Sequence, residues 1–197
     1  MVLFELEAAR DRIDAGDIFF ARHNLRRVHV VERLLIEQID VLETISPQDF
    51  LAFRSQLAPA SGFQSVQFRE IEFLSGLKEP KYLARIEATP DEVARLHRRL
   101  EEPSLEDAFR RLLERRGSPS LIEVFRDRER QGDLFDLCEA LLDHDEAFAH
   151  WRARHVLMVE RQIGGKTGTG GSSGAEYLRT TLGKRFYPEL WDVRSQL

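Results

Sequence analysis

His155 lies on a stripe of large side chains that could surround a cofactor. Trp151, Met158 and Gln162 follow the same face at successive steps of three or four residues, as helical spacing requires. A histidine on such a stripe is more often a core residue than a ligand, and that interpretation stays open. If His155 is a ligand, its apolar surroundings favour haem, because a neutral imidazole can bind iron axially while Trp151 and Met158 cover the macrocycle.

A second set of side chains suits an aromatic amino acid. Phe50, Arg54 and Leu57 stand at positions i, i+4 and i+7, which places a ring, a guanidinium and an aliphatic group on one helical face. An aromatic ring could pack on Phe50 and Leu57 while Arg54 binds the carboxylate in a bidentate pair. The alternative is a half-buried helix that carries a surface arginine.

A glycine-rich stretch, residues 164–178, could close over a ligand. It contains six of the 12 glycines of the chain, but it matches neither the Walker A motif nor the dinucleotide-binding G-x-G-x-x-G motif. Glycine allows backbone N–H groups to approach a ligand closely, and Thr169 adds a hydroxyl. The stretch could therefore hold a carboxylate, a propionate or an amino group, or it could be a flexible connection between helices.

All of these groups lie on or beside predicted helices. Almost every segment has the 3.6-residue period, which predicts one all-α domain over residues 1–197, arranged as a helical bundle with functional groups between facing helices. Helix starts are predicted at four capping residues, with one long helix from about Leu134 to Ile163; the caps are Asp17, Ser46, Thr89 and Ser104.

Composition excludes several classes of protein. A formal charge of −5 and a pI near 5.7 argue against nucleic acid as the main partner. The one cysteine, Cys138, excludes an intrachain disulfide framework and is interpreted as structural. We find no leader pattern and no long apolar run, so we expect a cytoplasmic protein without a membrane segment.

Three long motifs carry a resemblance to a known family. They are PQDFLAFRSQLAPASGFQSVQFREIEFL at 47–74, WRARHVLMVERQIGGKTGTGGSSGAEYL at 151–178 and FYPELWDVR at 186–194. In this order, and together with VLETISP at 41–47, they resemble the tryptophan 2,3-dioxygenase family of histidine-ligated haem-dependent aromatic oxygenases. The resemblance covers nearly the whole chain.

The resemblance implies a role for each matching residue. His155, in the W-x-x-R-H motif, would be the axial ligand of haem b, with Trp151 and Met158 beside the cofactor. Arg54 would bind the substrate carboxylate, and Phe50 would line the indole pocket. Thr169 would contact the ammonium and carboxylate region. Further pocket residues of the family fall on Leu57, Ser61 and Gly62.

The resemblance also implies an activity and an assembly. The family uses O2 to cleave the indole ring of L-tryptophan, giving N-formyl-L-kynurenine, and forms homotetramers in the cytoplasm. Its members have, before the segment equivalent to residues 2–6, a helix that supplies a distal histidine. This chain starts after that helix, and neither His23 nor His29 aligns as a substitute, so no catalytic residue is assigned. Two alternatives stay open: a non-catalytic haem-binding homologue, and an oxygenase for another aromatic amino acid.

Overall fold

The fold consists of helices that pack along two long neighbours. The computed structural model describes residues 1–58, 60–117 and 119–197, without the side chains of residues 63 and 85. Throughout these ranges the regular elements are α-helices and short 3-10 helices, with no strand. The prediction of an all-α protein is confirmed.

The α-helices are numbered in chain order. Within the described ranges, five precede residue 105: α1 Val2–Ala15, α2 Ile18–Leu42, α3 Pro47–Arg54, α4 Val66–Ser75 and α5 Pro90–Glu101. Five follow: α6 Leu105–Arg115, α7 Leu121–Arg126, α8 Arg128–Ile163, α9 Ala175–Arg179 and α10 Pro188–Asp192. Short 3-10 helices span Ser55–Leu57, Gly62–Gln64, Pro80–Arg85 and Val193–Gln196.

The predicted capping residues start their helices through side-chain hydrogen bonds. Ser46 accepts a bond from the amide of Asp49 at 3.2 Å, and Asp17 accepts one from the amide of Phe20 at 3.3 Å. Thr89 and Ser104 each form a reciprocal capping box. These bonds satisfy amides that a helix leaves without an internal partner, which is why the polar residues predicted the helix starts correctly.

The start of the longest helix was predicted too late in the chain. We expected it at about Leu134, after the sequence Gln131-Gly132-Asp133, but α8 begins at Arg128. Asp127 caps this earlier start by accepting a hydrogen bond from the amide of Arg130 at 3.2 Å. The break expected at Gln131-Gly132-Asp133 is present as a kink within α8, where Gln131 has the non-helical angles φ −117° and ψ 17°.

The main core lies where α1, α2, α6 and α8 meet. Leucine and isoleucine side chains from all four helices are fully buried there, and each contributes about 1.5–3 kcal/mol relative to an exposed position. A smaller cluster joins α4 to α5 and the 3-10 helix Pro80–Arg85. Its buried members are Val66, Phe73, Tyr82 and Leu96.

Two buried polar residues fix α8 against its neighbours. His144 lies 2.7 Å from a carboxylate oxygen of Glu32 on α2 and 2.8 Å from the hydroxyl of Ser75 on α4. Asp145 accepts hydrogen bonds from the amides of Phe186 and Tyr187 and from the indole of Trp191, at 2.9–3.1 Å. These contacts anchor α8 directly before the half of the helix that carries Trp151 and His155.

Along the described parts of the chain, we find no helix that is both long and apolar enough to cross a membrane.

Candidate functional site

A cavity of about 540 Å³ opens between α3, α4, the second half of α8 and the glycine-rich stretch. Its size is within the range of sites that hold small molecules or cofactors. All nine residues that the sequence singled out for a site line it, although they come from three separate segments. They are Phe50, Arg54, Leu57, Ser61, Gly62, Trp151, His155, Met158 and Thr169.

His155 presents an unpaired imidazole to this cavity. The indole of Trp151, one turn earlier on α8, stacks on the imidazole with ring centres 5.0 Å apart and planes at 22°. Burial lowers the pKa of His155, because a charged ring would lose its hydration. Among the described residues His155 has no hydrogen-bond partner, so a neutral ring nitrogen is left to coordinate a metal.

The wall around His155 is mostly apolar. Phe68 packs against Trp151 with ring centres 5.4 Å apart, and Phe148 lies behind it at 5.0 Å from Phe68. Gln162 closes the stripe: its amide nitrogen donates to the carbonyl of Ile45 at 2.9 Å, while its buried amide oxygen has no partner. The stripe predicted on α8 therefore faces the cavity, and Phe148 supports it from behind.

Another part of the cavity lining is formed by α3 and the residues that follow it. The α-helix ends at Arg54, and Leu57 belongs to the next 3-10 helix, so Phe50, Arg54 and Leu57 do not lie on one regular helix as expected. All three still line the cavity. The Arg54 guanidinium donates a hydrogen bond to the carbonyl of Thr167, in the glycine-rich stretch.

The glycine-rich stretch packs directly on the segment after α3. The hydroxyl of Thr169 donates to the carbonyl of Ala60 at 2.6 Å. A Cβ atom on Gly170 would lie 2.3 Å from the Cβ of Ser61, and one on Gly174 would lie 2.5 Å from the carbonyl oxygen of Lys166. Gly174 also has a φ of +64°, which disfavours other residues. Glycine is needed at these two positions because the Ser61 side chain in one case and the Lys166 carbonyl in the other leave no room for a Cβ atom.

Three charged residues of the cavity were not predicted from the sequence. Arg69 and Glu72 on α4 and Arg152 on α8 line it with relative exposures of only 8%, 1% and 3%. Glu72 accepts hydrogen bonds from both guanidiniums, at 2.8 Å in the case of Arg152. The position of Arg152 between the predicted residues Trp151 and His155 was a weak indication that this arginine also lies near the cavity.

These features define a class: an all-α protein whose cavity joins one neutral imidazole and several arginines to a wall of aromatic and aliphatic side chains. The family model described as tryptophan 2,3-dioxygenase matches residues 1–121 and 110–197. The chain belongs to the tryptophan 2,3-dioxygenase family, as the sequence motifs predicted.

Individual relatives agree with this assignment. The chain is 54% identical to the tryptophan 2,3-dioxygenase of Nocardioides sp., in an alignment that covers 100% of this chain and 79% of the relative. It is 43% identical to the tryptophan 2,3-dioxygenase of Herpetosiphon aurantiacus and 40% identical to that of Pseudomonas fluorescens. These alignments also cover 100% of this chain, with 82% and 77% of the relatives.

The residues of the cavity fit haem, which is the group that the family resemblance implies. A neutral and unpaired imidazole is the ordinary protein ligand of haem iron. Trp151, Phe68 and Met158 provide apolar surface for a macrocycle, and arginines are present for its carboxylates. The donor set of the cavity thus matches both the metal and the periphery of haem.

Proposed function

We propose that this protein is a haem-dependent tryptophan 2,3-dioxygenase. It would cleave the C2–C3 bond of the indole ring of L-tryptophan with O2, so that both oxygen atoms enter N-formyl-L-kynurenine. The observation that carries the proposal is that the unpaired His155 imidazole and the Arg54 guanidinium line one cavity together with aromatic and aliphatic side chains. Family membership supports the same reaction.

His155 would hold the iron of haem b. Because burial lowers the pKa of this histidine, the imidazole is neutral near pH 7 and its nitrogen lone pair is free for the metal. The stacked indole of Trp151 restricts rotation of the ring. When bound, haem would supply the redox-active iron at which O2 is activated.

Arg54 and Thr169 would orient the substrate. The guanidinium of Arg54 now donates to the carbonyl of Thr167, and a substrate carboxylate would replace this neutral acceptor with a charged and stronger one. The hydroxyl of Thr169 lies in the same stretch and would serve the ammonium and carboxylate region. Such positioning contributes several kcal/mol of the roughly 7–11 kcal/mol that orientation can supply.

Phe50 and Leu57 would provide the surface on which the indole packs, next to Ser61 and Gly62. All four line the cavity. The apolar wall and the overlying glycine-rich stretch would exclude water from the reacting atoms, which strengthens the ion pair at Arg54.

A cytoplasmic homotetramer belongs to the same proposal. Large apolar side chains are exposed along α2 and on the late part of α8 in the described chain, as Phe19 at 74%, Val41 at 67% and Leu157 at 54% show. Large apolar side chains left exposed on helices can be covered at an interface with another copy of the chain. Light scattering of the purified protein should give the mass of four chains, and a monomer at micromolar concentration would contradict the assembly.

One experiment tests the activity and separates it from the two alternatives. The purified protein is loaded with haem b, and N-formyl-L-kynurenine is measured after addition of L-tryptophan and O2. We expect turnover in the wild type and no Soret band in His155→Ala, while His150→Ala, an exposed histidine on the same helix, should behave as the wild type. Haem uptake without turnover would indicate a non-catalytic homologue, and turnover of another aromatic amino acid alone would indicate a different oxygenase.

A further inference from the structure

A second cleft, of about 410 Å³, lies between α1, α4 and α5 and shares no lining residue with the cavity that contains His155. Among the described residues that line this charged cleft, Pro103 is uncharged and all the others carry a charge. Burial of an aromatic or aliphatic group needs an apolar lining. The charged cleft is therefore suited to a small and strongly polar molecule.

The positive and negative charges of the cleft balance. Four guanidiniums and five carboxylates line it in the described chain, and one of those carboxylates, Asp14, is bonded to Arg111 outside the cleft at 2.8 and 2.9 Å. The remaining charges of the two signs are equal in number. A lining of this kind favours neither an anion nor a cation as a whole, but it is complementary to a molecule that carries both charges.

Glu70 on α4 is the most buried residue of the cleft, with only 4% of its surface exposed. The two guanidiniums beside it, those of Arg99 and Arg95, come no closer than 3.6 and 3.7 Å, which is too far for a hydrogen bond. Its carboxylate accepts no hydrogen bond from any residue that the structure describes. A buried acceptor without a donor is costly, so this position is suited to the N–H groups of an ammonium.

Two guanidiniums of the same cleft have donors to spare. Arg95 and Arg98 are spaced i and i+3 on α5, so they lie on one side of the helix, and both line the cleft. Neither guanidinium donates a hydrogen bond within the described ranges. By contrast, Arg10 and Arg99 already donate to carboxylates of the protein, at 2.9 and 3.1 Å. The two unbonded forks on α5 are suited to a carboxylate of a ligand.

We propose that the charged cleft binds a small zwitterion, a polar α-amino acid, with its ammonium on Glu70 and its carboxylate on Arg95 and Arg98. The ammonium and the carboxylate of such a molecule are attached to the same carbon atom, and Glu70 and Arg95 are already neighbours. The ligand would replace their loose ion pair with hydrogen bonds to both partners, and it would join α4 to α5. This site requires neither haem nor the reaction proposed above, because the two cavities share no residue.

The first test compares three molecules that differ in their charged groups. The purified chain is titrated by calorimetry with L-glutamine, with N-acetyl-L-glutamine, which has no ammonium, and with L-glutaminamide, which has no α-carboxylate. Low ionic strength is used because salt screens exposed charges. We expect the Kd of L-glutamine to be about ten- to a hundredfold lower than that of either derivative, as the loss of one charge-assisted contact predicts. Equal affinities for the three molecules, or no saturable heat with L-glutamine, would overturn the proposal.

Substitutions then assign each charged group of the ligand to its partner. Glu70→Gln should weaken L-glutamine and L-glutaminamide but not N-acetyl-L-glutamine, because it removes only the partner of the ammonium. Arg98→Met should weaken L-glutamine and N-acetyl-L-glutamine but not L-glutaminamide. An equal loss for all three molecules would indicate a structural role and would overturn the proposal. Arg98 is exposed, so its variant tests the site even if Glu70→Gln fails to fold.

Two control variants locate the binding. Arg130→Met removes an arginine whose side chain is 85% exposed and lies outside the cleft, so it should leave all three affinities unchanged. Arg54→Ala should leave the affinity for L-glutamine unchanged as well. If Arg54→Ala abolishes the binding of L-glutamine, the amino acid binds in the cavity that contains His155, and the proposal for the charged cleft fails while the proposed function does not.

Discussion

Thr169 and Ala60 lie 109 positions apart in the chain and are joined by a hydrogen bond of 2.6 Å from the threonine hydroxyl to the alanine carbonyl. This bond, with that from Arg54 to the carbonyl of Thr167, ties the glycine-rich stretch to the segment after α3. Both donors are residues that we propose for substrate binding. Substrate must therefore compete with these two contacts within the protein.

Substitution of Arg54 should weaken substrate binding and spare haem. Arg54→Ala removes a charge-assisted pair of about 1.5–3 kcal/mol, so the Kd for L-tryptophan should rise roughly ten- to a hundredfold. Arg54→Lys should recover only part of this loss, because an ammonium cannot form the bidentate fork. The measurement is a titration of the haem spectrum with L-tryptophan, and equal affinities would show that Arg54 is only a helix-surface residue.

Thr169→Ala should give a smaller loss of the same kind. The hydroxyl is neutral, and the net contribution of such a hydrogen bond is about 0.5–1.5 kcal/mol. The same titration with L-tryptophan measures it. A loss larger than that of Arg54→Ala would assign the main contact with the carboxylate to the threonine.

Gly170→Ala should disturb the closure of the glycine-rich stretch. The added methyl group would lie 2.3 Å from the Cβ of Ser61, so one of the two backbones must move. We expect weaker binding of L-tryptophan with haem content unchanged. Gly165→Ala is the matched control in the same stretch, because its methyl group meets no atom within 4 Å. Equal behaviour of the two variants would contradict the close packing described for Gly170.

Haem binding should persist to a lower pH than an ordinary histidine allows. Protonation of His155 competes with iron, and burial lowers the pKa of this group below its usual value near 6.5. Because the pKa of His155 is lower in the folded protein than in the unfolded chain, acid favours the unfolded and the metal-free protein. The stability of the folded protein and its haem binding therefore decrease as the pH falls below the pKa of a free imidazole. A titration of the Soret band against pH measures this loss of haem. Haem release with a midpoint above the usual histidine pKa would contradict the prediction.

Removal of His144 should destabilise the protein without a change in the cavity residues. His144→Leu leaves the carboxylate of Glu32 buried without this partner, which costs about 3–5 kcal/mol when a buried pair is broken. The double variant Glu32→Leu with His144→Leu should recover part of the loss, as a double-mutant cycle in urea would measure. His150→Leu on the exposed side of α8 is the control. Additive effects of the two substitutions would mean that the residues do not interact.

Much of this architecture was predictable because it depends on local chemistry. Ser46 and Thr89 identified their helices through capping bonds, which need only residues three positions away. The sequence spacing predicted that Trp151 and His155 lie on one stripe, and they do so in α8 because a helix has regular geometry. The family motifs supplied the candidate roles, which spacing alone left open.

The features that were missed depend on tertiary packing. Arg69 and Glu72, at i and i+3, have the spacing of an ordinary surface ion pair, and nothing local indicates that both are buried. Their burial follows from Arg152 on a helix eighty positions away and from the ring of Tyr82. Residues 128–133 were excluded from α8 because Gly132 suggested a break, whereas Asp127 caps an earlier start.

The distance in sequence between the two walls of the cavity has a consequence for biosynthesis. Arg54 and Thr167 are 113 positions apart, and α8 with its histidine leaves the ribosome long after α3. Contacts of such long range form late, since loop closure must precede them. Until then, the nascent chain exposes α3 and α4 without the helix that covers them. If His155 holds haem as we propose, haem can therefore be captured only after most of the chain has been translated.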